Sequence, residues 1–243
     1  MSHRNNLLLS RLDNKTAEDV SSYLHVAEIR QGEVLADSYN RVQRVYFPHS
    51  GIISSVVEMK NGGAIETGLV GRDGAFGATQ ALDDKMSLNK IVVQVPGVAS
   101  VMDADRLCAM AEANHAFRRI LIEYDLFFLA QVQQTAACNA SHGIEPRMCK
   151  WLLRMHDLAG ADLTLTQEYL ARMIGVTRSS VTEVAGELQR KGMISYSRGR
   201  LHIQDIERIR QTSCGCHEEL NRHYERLFQR SSPGSLSNDQ ARH

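Results

Sequence analysis

Gln167-Glu-Tyr-Leu-Ala-Arg-Met-Ile-Gly-Val-Thr-Arg-Ser-Ser-Val-Thr-Glu-Val-Ala-Gly-Glu-Leu188 carries small and apolar residues at the spacing of two short helices that cross closely. Counted from Gln167, Ala171 is fifth, Gly175 ninth and Val181 fifteenth, the arrangement that presents the second helix to a DNA groove. Ala171 is small enough to let the helices approach. Gly175 supplies a turn conformation that side-chain-bearing residues resist. Val181 and Val184 anchor the second helix from below, which leaves Arg178, Ser179, Thr182 and Glu183 facing outward.

Downstream, Gly192 reads as a helix stop. Met193–Ser197 and Leu201–Ile203 are short strand-like runs on either side of Arg198-Gly199-Arg200, so they predict a tight hairpin turned by Gly199. A hairpin in this place is a wing, and its two arginines are positioned to reach phosphates. Charge is distributed accordingly. Residues 1–144 hold 13 Lys and Arg against 16 Asp and Glu, whereas residues 145–230 hold 14 against 11. Between Arg178 and Arg200 lie five basic residues (those two, Arg190, Lys191 and Arg198) and two acidic ones. A basic face on a chain of zero formal net charge excludes a general polyanion coat and suits a site-specific DNA-binding protein.

Upstream the chain changes character. Six strand-like runs, Val26–Arg30, Arg44–Pro48, Ile52–Glu58, Ala64–Val70, Lys90–Val95 and Val98–Asp103, are punctuated by turn residues, with Asn61-Gly62-Gly63 as a hairpin signal. Their close spacing predicts an antiparallel roll or sandwich. The glycine-rich run Gly68-Leu-Val-Gly-Arg-Asp-Gly-Ala-Phe-Gly77 is compatible with wrapping a ligand's phosphate, and equally with tight corners alone. From Asn114 to Asn139 the period becomes helical, with Phe117, Ile120, Leu121, Tyr124, Phe127, Phe128 and Val132 on one stripe. About 25 residues span roughly 38 Å, more than a small roll needs, so this helix is expected to pack partly on its own roll and partly on its twin, with Ile120, Leu121, Tyr124, Phe127 and Phe128 as its dimer residues. His142-Gly143 marks a break, and Pro146 suits the first turn of a following helix over Arg147–Leu158.

The fold class expected is therefore α+β: an N-terminal antiparallel β-roll over 12–112, a dimerisation helix over 113–142 and a winged helix-turn-helix over 143–211. A C-terminal helix and tail follow over 212–243. Cys216–Arg230 has Leu220, Tyr224, Leu227 and Phe228 at helical spacing and is expected to pack on the wing domain, while Ser231–His243 reads as disordered.

Roll, long helix, break and winged helix-turn-helix in this order resemble the Crp/Fnr family of bacterial transcription regulators. The residues that carry the resemblance are Val45-Tyr-Phe-Pro-His-Ser-Gly51, Val70-Gly-Arg-Asp-Gly74 and Leu165 through Thr182, within a match over about residues 12–211. It implies a cyclic-nucleotide-binding-like jelly roll and a homodimer on an inverted repeat of double-stranded DNA. It further implies half-sites about 34 Å apart and direct contact with RNA polymerase. The DNA-facing set expected is Thr166, Gln167, Thr177, Arg178, Ser179, Ser180, Thr182, Glu183, Arg198 and Arg200. An effector pocket is expected around Gly71, Gly74, Ala75, Phe76, Gly77 and Ser87.

Departures from the family pattern are specific. Members that bind cyclic AMP hold its ribose with a glutamate and its phosphate with an arginine; Ala75 stands at the first position, and the second falls near Ser87-Leu88. A buried phosphodiester without its guanidinium partner is costly, so cyclic AMP is not the expected effector and no cofactor is assigned. In the recognition helix Arg178 matches a guanine-contacting arginine, while Ser179 and Glu183 replace a glutamate and a second arginine, so the operator should differ.

Five scattered cysteines fit reduced thiols in a cytoplasm. The oxygen-sensing branch carries an iron–sulfur cluster on N-terminal cysteines, whereas the first cysteine here is Cys108. Cys138 and His142, four apart, and Cys214-Gly-Cys216-His217 each offer soft ligands, but no metal is assigned from spacing alone. The roll region holds a single histidine, His49, which argues against a metal enzyme, and no Ser/His/Asp or phosphate-loop constellation points to other catalysis. No run of 18 apolar residues suits a membrane, and Met-Ser-His-Arg-Asn-Asn lacks a secretory signal's apolar stretch. Three readings stay open for control: an effector in the roll, a roll that only dimerises, and a thiol- or metal-based redox sensor.

Overall fold

The computed structural model describes residues 2–83 and 85–229. Helix α1 (Asn14–Ser21) is capped by Asp13 and precedes strands β1 (His25–Ile29), β2 (Val34–Ala36), β3 (Arg44–Pro48), β4 (Ile52–Glu58) and β5 (Ala64–Val70). A single turn, α2 (Ala78–Ala81), leads to β6 (Lys90–Val95), β7 (Gly97–Asp103) and α3 (Ala104–Ala113). The long helix α4 (His115–Ser141) follows, then α5 (Ile144–Ala159), β8 (Asp162–Thr164), α6 (Gln167–Ile174) and α7 (Arg178–Arg190). Strands β9 (Ile194–Ser197) and β10 (Arg200–Ile203) and helices α8 (Ile206–Thr212) and α9 (Cys216–Gln229) complete the described chain. The sequence carries little warning of β2, β8 and α3: the two strands have three residues each, and α3 follows β7 without a turn signal.

Two antiparallel sheets, ordered β1-β7-β3 and β2-β6-β4-β5, face each other as a roll. Their inner residues, including Val45, Phe47, Ile53, Val93 and Val101, are almost wholly excluded from water. Asn61-Gly62-Gly63 turns β4 into β5, and β5 is a sheet edge. An edge strand leaves backbone groups unpaired, and α4 meets this one with a side chain. Gln131 Oε1 accepts from Leu69 N (2.7 Å), and its amide nitrogen donates to Leu69 O (3.2 Å). A buried amide thus fixes the rotation of α4 on the roll.

That rotation corrects the expected dimer surface. Phe117, Ile120, Leu121, Tyr124 and Phe127 are buried in their own chain's core, and Phe128 lies half-buried against Gly68. The roll is short of apolar cover on this side, and the aromatic stripe of α4 supplies it. The opposite face carries Ile122, Leu126 and Leu129, 44%, 51% and 50% exposed, continued by exposed Gln133, Ala136 and Ala140. Steps of four and three residues repeat along this line, the period of a coiled-coil seam.

Helix α5 starts with Pro146 in its first turn and is buried continuously from Arg147 to Met155. Trp151, Leu152 and Met155 form a second core with α6, α7 and the wing, to which the roll contributes Ile52 and Leu69. Three cations of α5 are also buried. Arg147 donates to Ile174 O (2.9 Å) and Asn139 (3.1 Å), Lys150 donates to Thr135 (3.1 Å), and Arg154 pairs with Asp73.

The expected packing of the C-terminal helix on the wing domain holds for its first turn, where His217 meets Asp157 of α5, and is corrected for the rest of the helix. Leu220 and Phe228 of α9 join the roll-side core, and Tyr224 stacks edge-on against Phe127 of α4. Arg11 closes the contact from the N-terminal segment, donating to Phe228 O (2.6 Å) with its guanidinium over the Phe228 ring. The apolar stripe of α9 meets a surface that is already aromatic, whereas the wing's own core is closed by α8 through Ile209. The disorder expected of Ser231–His243 concerns residues outside the described ones.

Candidate nucleic-acid interface and ligand cavity

Thr166 caps α6 by accepting from Tyr169 N (3.2 Å), and Thr177 caps α7 by accepting from Ser180 N (3.4 Å). Side-chain oxygens at this position satisfy donors that a helix start leaves open. Between the helices Gly175 adopts φ 70°, ψ 45°, and Gly175 N and Val176 N both donate to Ala171 O. An added Cβ at Gly175 would meet no atom closer than 3.8 Å. Glycine is needed there for its backbone conformation and not for space. Val181, Ala185 and Leu188 bury the inner face of α7. Helix α7 ends in a Schellman turn at Gly192, with Met193 N donating to Leu188 O and Gly192 N to Gln189 O.

The outer face of α7 is organised by Gln167. Its Oε1 accepts from Arg178 Nε (3.2 Å) and lies 3.1 Å from Thr182 Oγ1. Among the described residues the two terminal guanidinium nitrogens of Arg178 have no hydrogen-bond partner, so the fork is aimed and unspent. Ser179 and Ser180 hydroxyls gather on Thr177 Oγ1 (2.9 and 3.0 Å), and Glu183 is exposed beside them. Backbone N–H groups at the start of α7 add a positive pole to this surface.

The wing is a two-residue hairpin with positive φ at both central positions, Arg198 (49°) and Gly199 (75°). It is fastened to the start of α6 by Leu165 N donating to Gly199 O (2.8 Å) and Tyr196 OH donating to Leu165 O (2.9 Å). Arg198 and Arg200 are therefore exposed next to Thr166 and on the side of the α6 N-terminus. Of the five basic residues counted from the sequence here, two are otherwise engaged. Arg190 pairs with Glu187, and Lys191 pairs with Glu145 (2.8 Å) and Glu187 (3.6 Å). The free positive charge of this face rests on Arg178, Arg198 and Arg200.

A cavity of about 510 Å³ lies between the roll and α4. Ala75, Phe76, Gly77 and Ser87 line it, joined by Tyr124, Asp125, Phe128, Leu129 and Val132 of α4. Gly71 and Gly74 do not, which corrects two of the expected pocket residues. A Cβ on Gly71 would lie 2.5 Å from Leu158 of α5, and one on Gly74 would enter the Tyr124 ring at 2.1 Å. Both glycines exist for close packing. The cavity wall carries carboxylates Asp83 and Asp125, the latter accepting from Thr79 (2.8 Å); among its described residues there is neither Lys nor Arg.

The two cysteine–histidine groups noted in the sequence also meet. Cys138 of α4 and His142 just past its end meet Cys214, in the link from α8 to α9, and Cys216, the first residue of α9. His217 turns away and pairs with Asp157 of α5 (2.7 Å). His49 shares Ser100 Oγ with His3, each at 2.7 Å, an N-terminal partner that the reading of the roll alone did not include.

Residues 146–212 match the model of the Crp-like helix-turn-helix domain. No curated protein matches the chain. Among solved structures, FixK2 from Bradyrhizobium japonicum superposes with a TM-score of 0.67 at 13% identity, covering 79% of this chain and 98% of that one. The c-di-GMP-responsive global regulator CLP from Xanthomonas campestris gives a TM-score of 0.64 at 16% identity, over 79% and 99%. A CRP/FNR-family transcriptional regulator from Thermus thermophilus gives 0.63 at 20%, over 80% and 98%. At these identities the likeness is one of fold.

Proposed function

From a chain that has a Crp-like helix-turn-helix domain on the fold of Crp/Fnr transcription regulators, we propose a homodimeric, sequence-specific regulator that reads an inverted repeat in double-stranded DNA. The observation that carries this is the Arg178–Gln167 brace on the exposed face of α7. A guanidinium held at Nε keeps its terminal nitrogens for guanine O6 and N7, a contact worth about 1–3 kcal/mol of discrimination. Thr166, Thr177, Ser179, Ser180, Arg198 and Arg200 take the flanking phosphates, while Thr182 and Glu183 complete the base-facing row.

Dimerisation runs through Ile122, Leu126, Leu129, Gln133, Ala136 and Ala140, the outward line of α4. Two copies joined there present their α7 helices to successive major grooves about 34 Å apart. The cavity on the other side of Leu129 suits a small neutral or cationic effector better than a nucleotide phosphate, because its charged walls are acidic. Among the described residues no helix is long and apolar enough to cross a membrane. Action in the cytoplasm, with output through RNA polymerase, completes the reading.

Selection of bound duplexes from a random library, using purified protein without added ligand, tests the assignment. Enrichment of an inverted repeat with half-sites one helical turn apart supports it. A folded dimer that enriches only a single unrepeated site would overturn the paired-helix geometry.

A further inference from the structure

Cys138 lies in the last turn of α4, and His142 is the extended residue that caps it, its N–H donating to Cys138 O (3.0 Å). Cys214 and Cys216 flank Gly215, whose φ of 73° turns the link between α8 and α9. Although 76 residues separate Cys138 from Cys214, their Sγ atoms are 3.5 Å apart. Cys216 Sγ lies 3.7 Å from His142 Nδ1, and all four donor atoms fall within 4.8 Å of one another.

This is the shape of a shell around one ion. With Zn–S near 2.3 Å and Zn–N near 2.0–2.1 Å, the ligand-to-ligand edges of a tetrahedron come to about 3.5–3.8 Å. Both separations above fall in that interval. Thiols buried merely as small apolar groups would not bring three of the chain's five cysteines and a histidine together from remote elements. The other two lie apart: Cys149 is in the core under α6 and α7, and Cys108 neighbours Glu112 on α3. An iron–sulfur cluster spreads its thiolates over the outer corners of a larger body, whereas four donors this close surround a single ion.

We propose that Cys138, His142, Cys214 and Cys216 form a Cys3His site for one tetrahedral divalent ion of the zinc type. Binding exchanges the ion's waters for three thiolates and a neutral imidazole, releases three protons, and leaves a site of net charge −1. Lys150 supports this electrostatically. Its ammonium is buried, donates to Thr135 (3.1 Å), sits 3.9 Å over the Trp151 ring and lies within Coulomb range of all three thiols. Among the described residues no carboxylate lies within ion-pairing distance of it. Glu66 acts on it electrostatically, without a direct ion pair, so an anionic metal–thiolate site on its flank would add to a compensation that a buried cation needs. The ion would fasten the end of α4 to the segment leaving the wing domain, bridging the joint between roll and DNA-binding helices. Nothing in the site depends on what DNA is read.

Elemental analysis of the full-length protein purified under reducing conditions tests the site. About one zinc per protomer is expected, falling to about a tenth or less in Cys138→Ser, His142→Ala and Cys214→Ser but retained in Cys108→Ser. Because a ligand variant can fail to fold, the wild-type protein carries the second measurement. Zinc is withdrawn with a chelator and replaced by Co2+, and the intense visible bands of tetrahedral thiolate-bound cobalt should appear at one equivalent. Three results would each overturn the assignment. They are stoichiometric iron with an iron–sulfur chromophore, a Cys138–Cys214 disulfide in the reduced preparation, or folded protein that takes up neither zinc nor cobalt.

Discussion

Asp73 in the loop after β5 accepts from Arg154 of α5 at 2.7 Å, with 9% and 5% of the two side chains exposed. One ion pair therefore joins the roll's glycine-rich loop to the helix on which the DNA-binding elements are built. The residues that follow Asp73, Ala75 to Gly77, line the cavity. Gly71 and Gly74 let Leu158 and Tyr124 close over the same loop. Cavity, long helix and DNA-binding domain thus converge on a segment of seven residues, Gly71–Gly77.

Removing one partner of a buried ion pair leaves the other charge without compensation, at about 3–5 kcal/mol. Asp73→Asn should lower the unfolding free energy by an amount of that order. Asp73→Asn combined with Arg154→Met should recover most of it, since no lone charge then remains. Urea denaturation of the single and double variants measures both. Equal losses in the two proteins would mean that Asp73 acts through packing instead.

The two faces of α4 make opposite predictions. Leu126→Glu or Leu129→Glu puts a charge on the exposed 4-3 line and should convert the proposed dimer to monomer with little loss of monomer stability. Phe127→Ala deletes a fully buried ring and should cost about 3–5 kcal/mol of folding free energy. Light scattering after gel filtration, paired with denaturation, separates these outcomes. A Leu126→Glu protein that remains a dimer would move the interface off α4.

Much of this arrangement is legible in the sequence, and the limits are physical. Strands β3 to β6 have the bounds their apolar runs and turn residues predict, and the helix-turn-helix follows from Ala171, Gly175 and Val181, because those constraints are local. The face of α4 is not legible. It carries two apolar stripes, and only the docking of Gln131 on Leu69 decides which one the roll consumes. The burial of Arg147, Lys150 and Arg154 on α5 is not legible either. Their partners, Ile174 O, Thr135 and Asp73, lie on other elements. The cysteine pairs are visible as pairs, but their convergence depends on α9 returning to α4.

At the DNA surface, Arg178→Ala should reduce operator affinity about 5- to 150-fold, the equivalent of about 1–3 kcal/mol, and leave weak salt-sensitive binding to random duplex. Gln167→Ala keeps the guanidinium but frees it from its brace. It should relax discrimination at the same base pair with a smaller loss of affinity. Arg198→Ala on the wing should weaken specific and random DNA alike and flatten the salt dependence. Competition binding at two salt concentrations checks all three. Equal loss on both DNAs for Arg178→Ala would assign that residue to phosphate.

Glu66 gives a pH-dependent prediction. It is wholly buried on β5, and burial pushes its carboxyl from an ordinary 4.5 up to about 8, against a hydrogen bond from Ser54 and the nearby charge of Lys150. The folded protein therefore keeps a proton that the unfolded chain loses above 4.5. Stability should fall as pH rises through the window from 4.5 to about 8, by at most about 1.4 kcal/mol per pH unit. Glu66→Gln replaces the protonated carboxyl with a neutral group of the same shape and cannot acquire the charge. Its unfolding midpoint in urea should equal or exceed that of the wild type at pH 8, and the difference should shrink toward pH 5. Parallel stability curves for the two proteins across that range would mean that Glu66 is already ionised in the folded state, with Lys150 carrying its counter-charge.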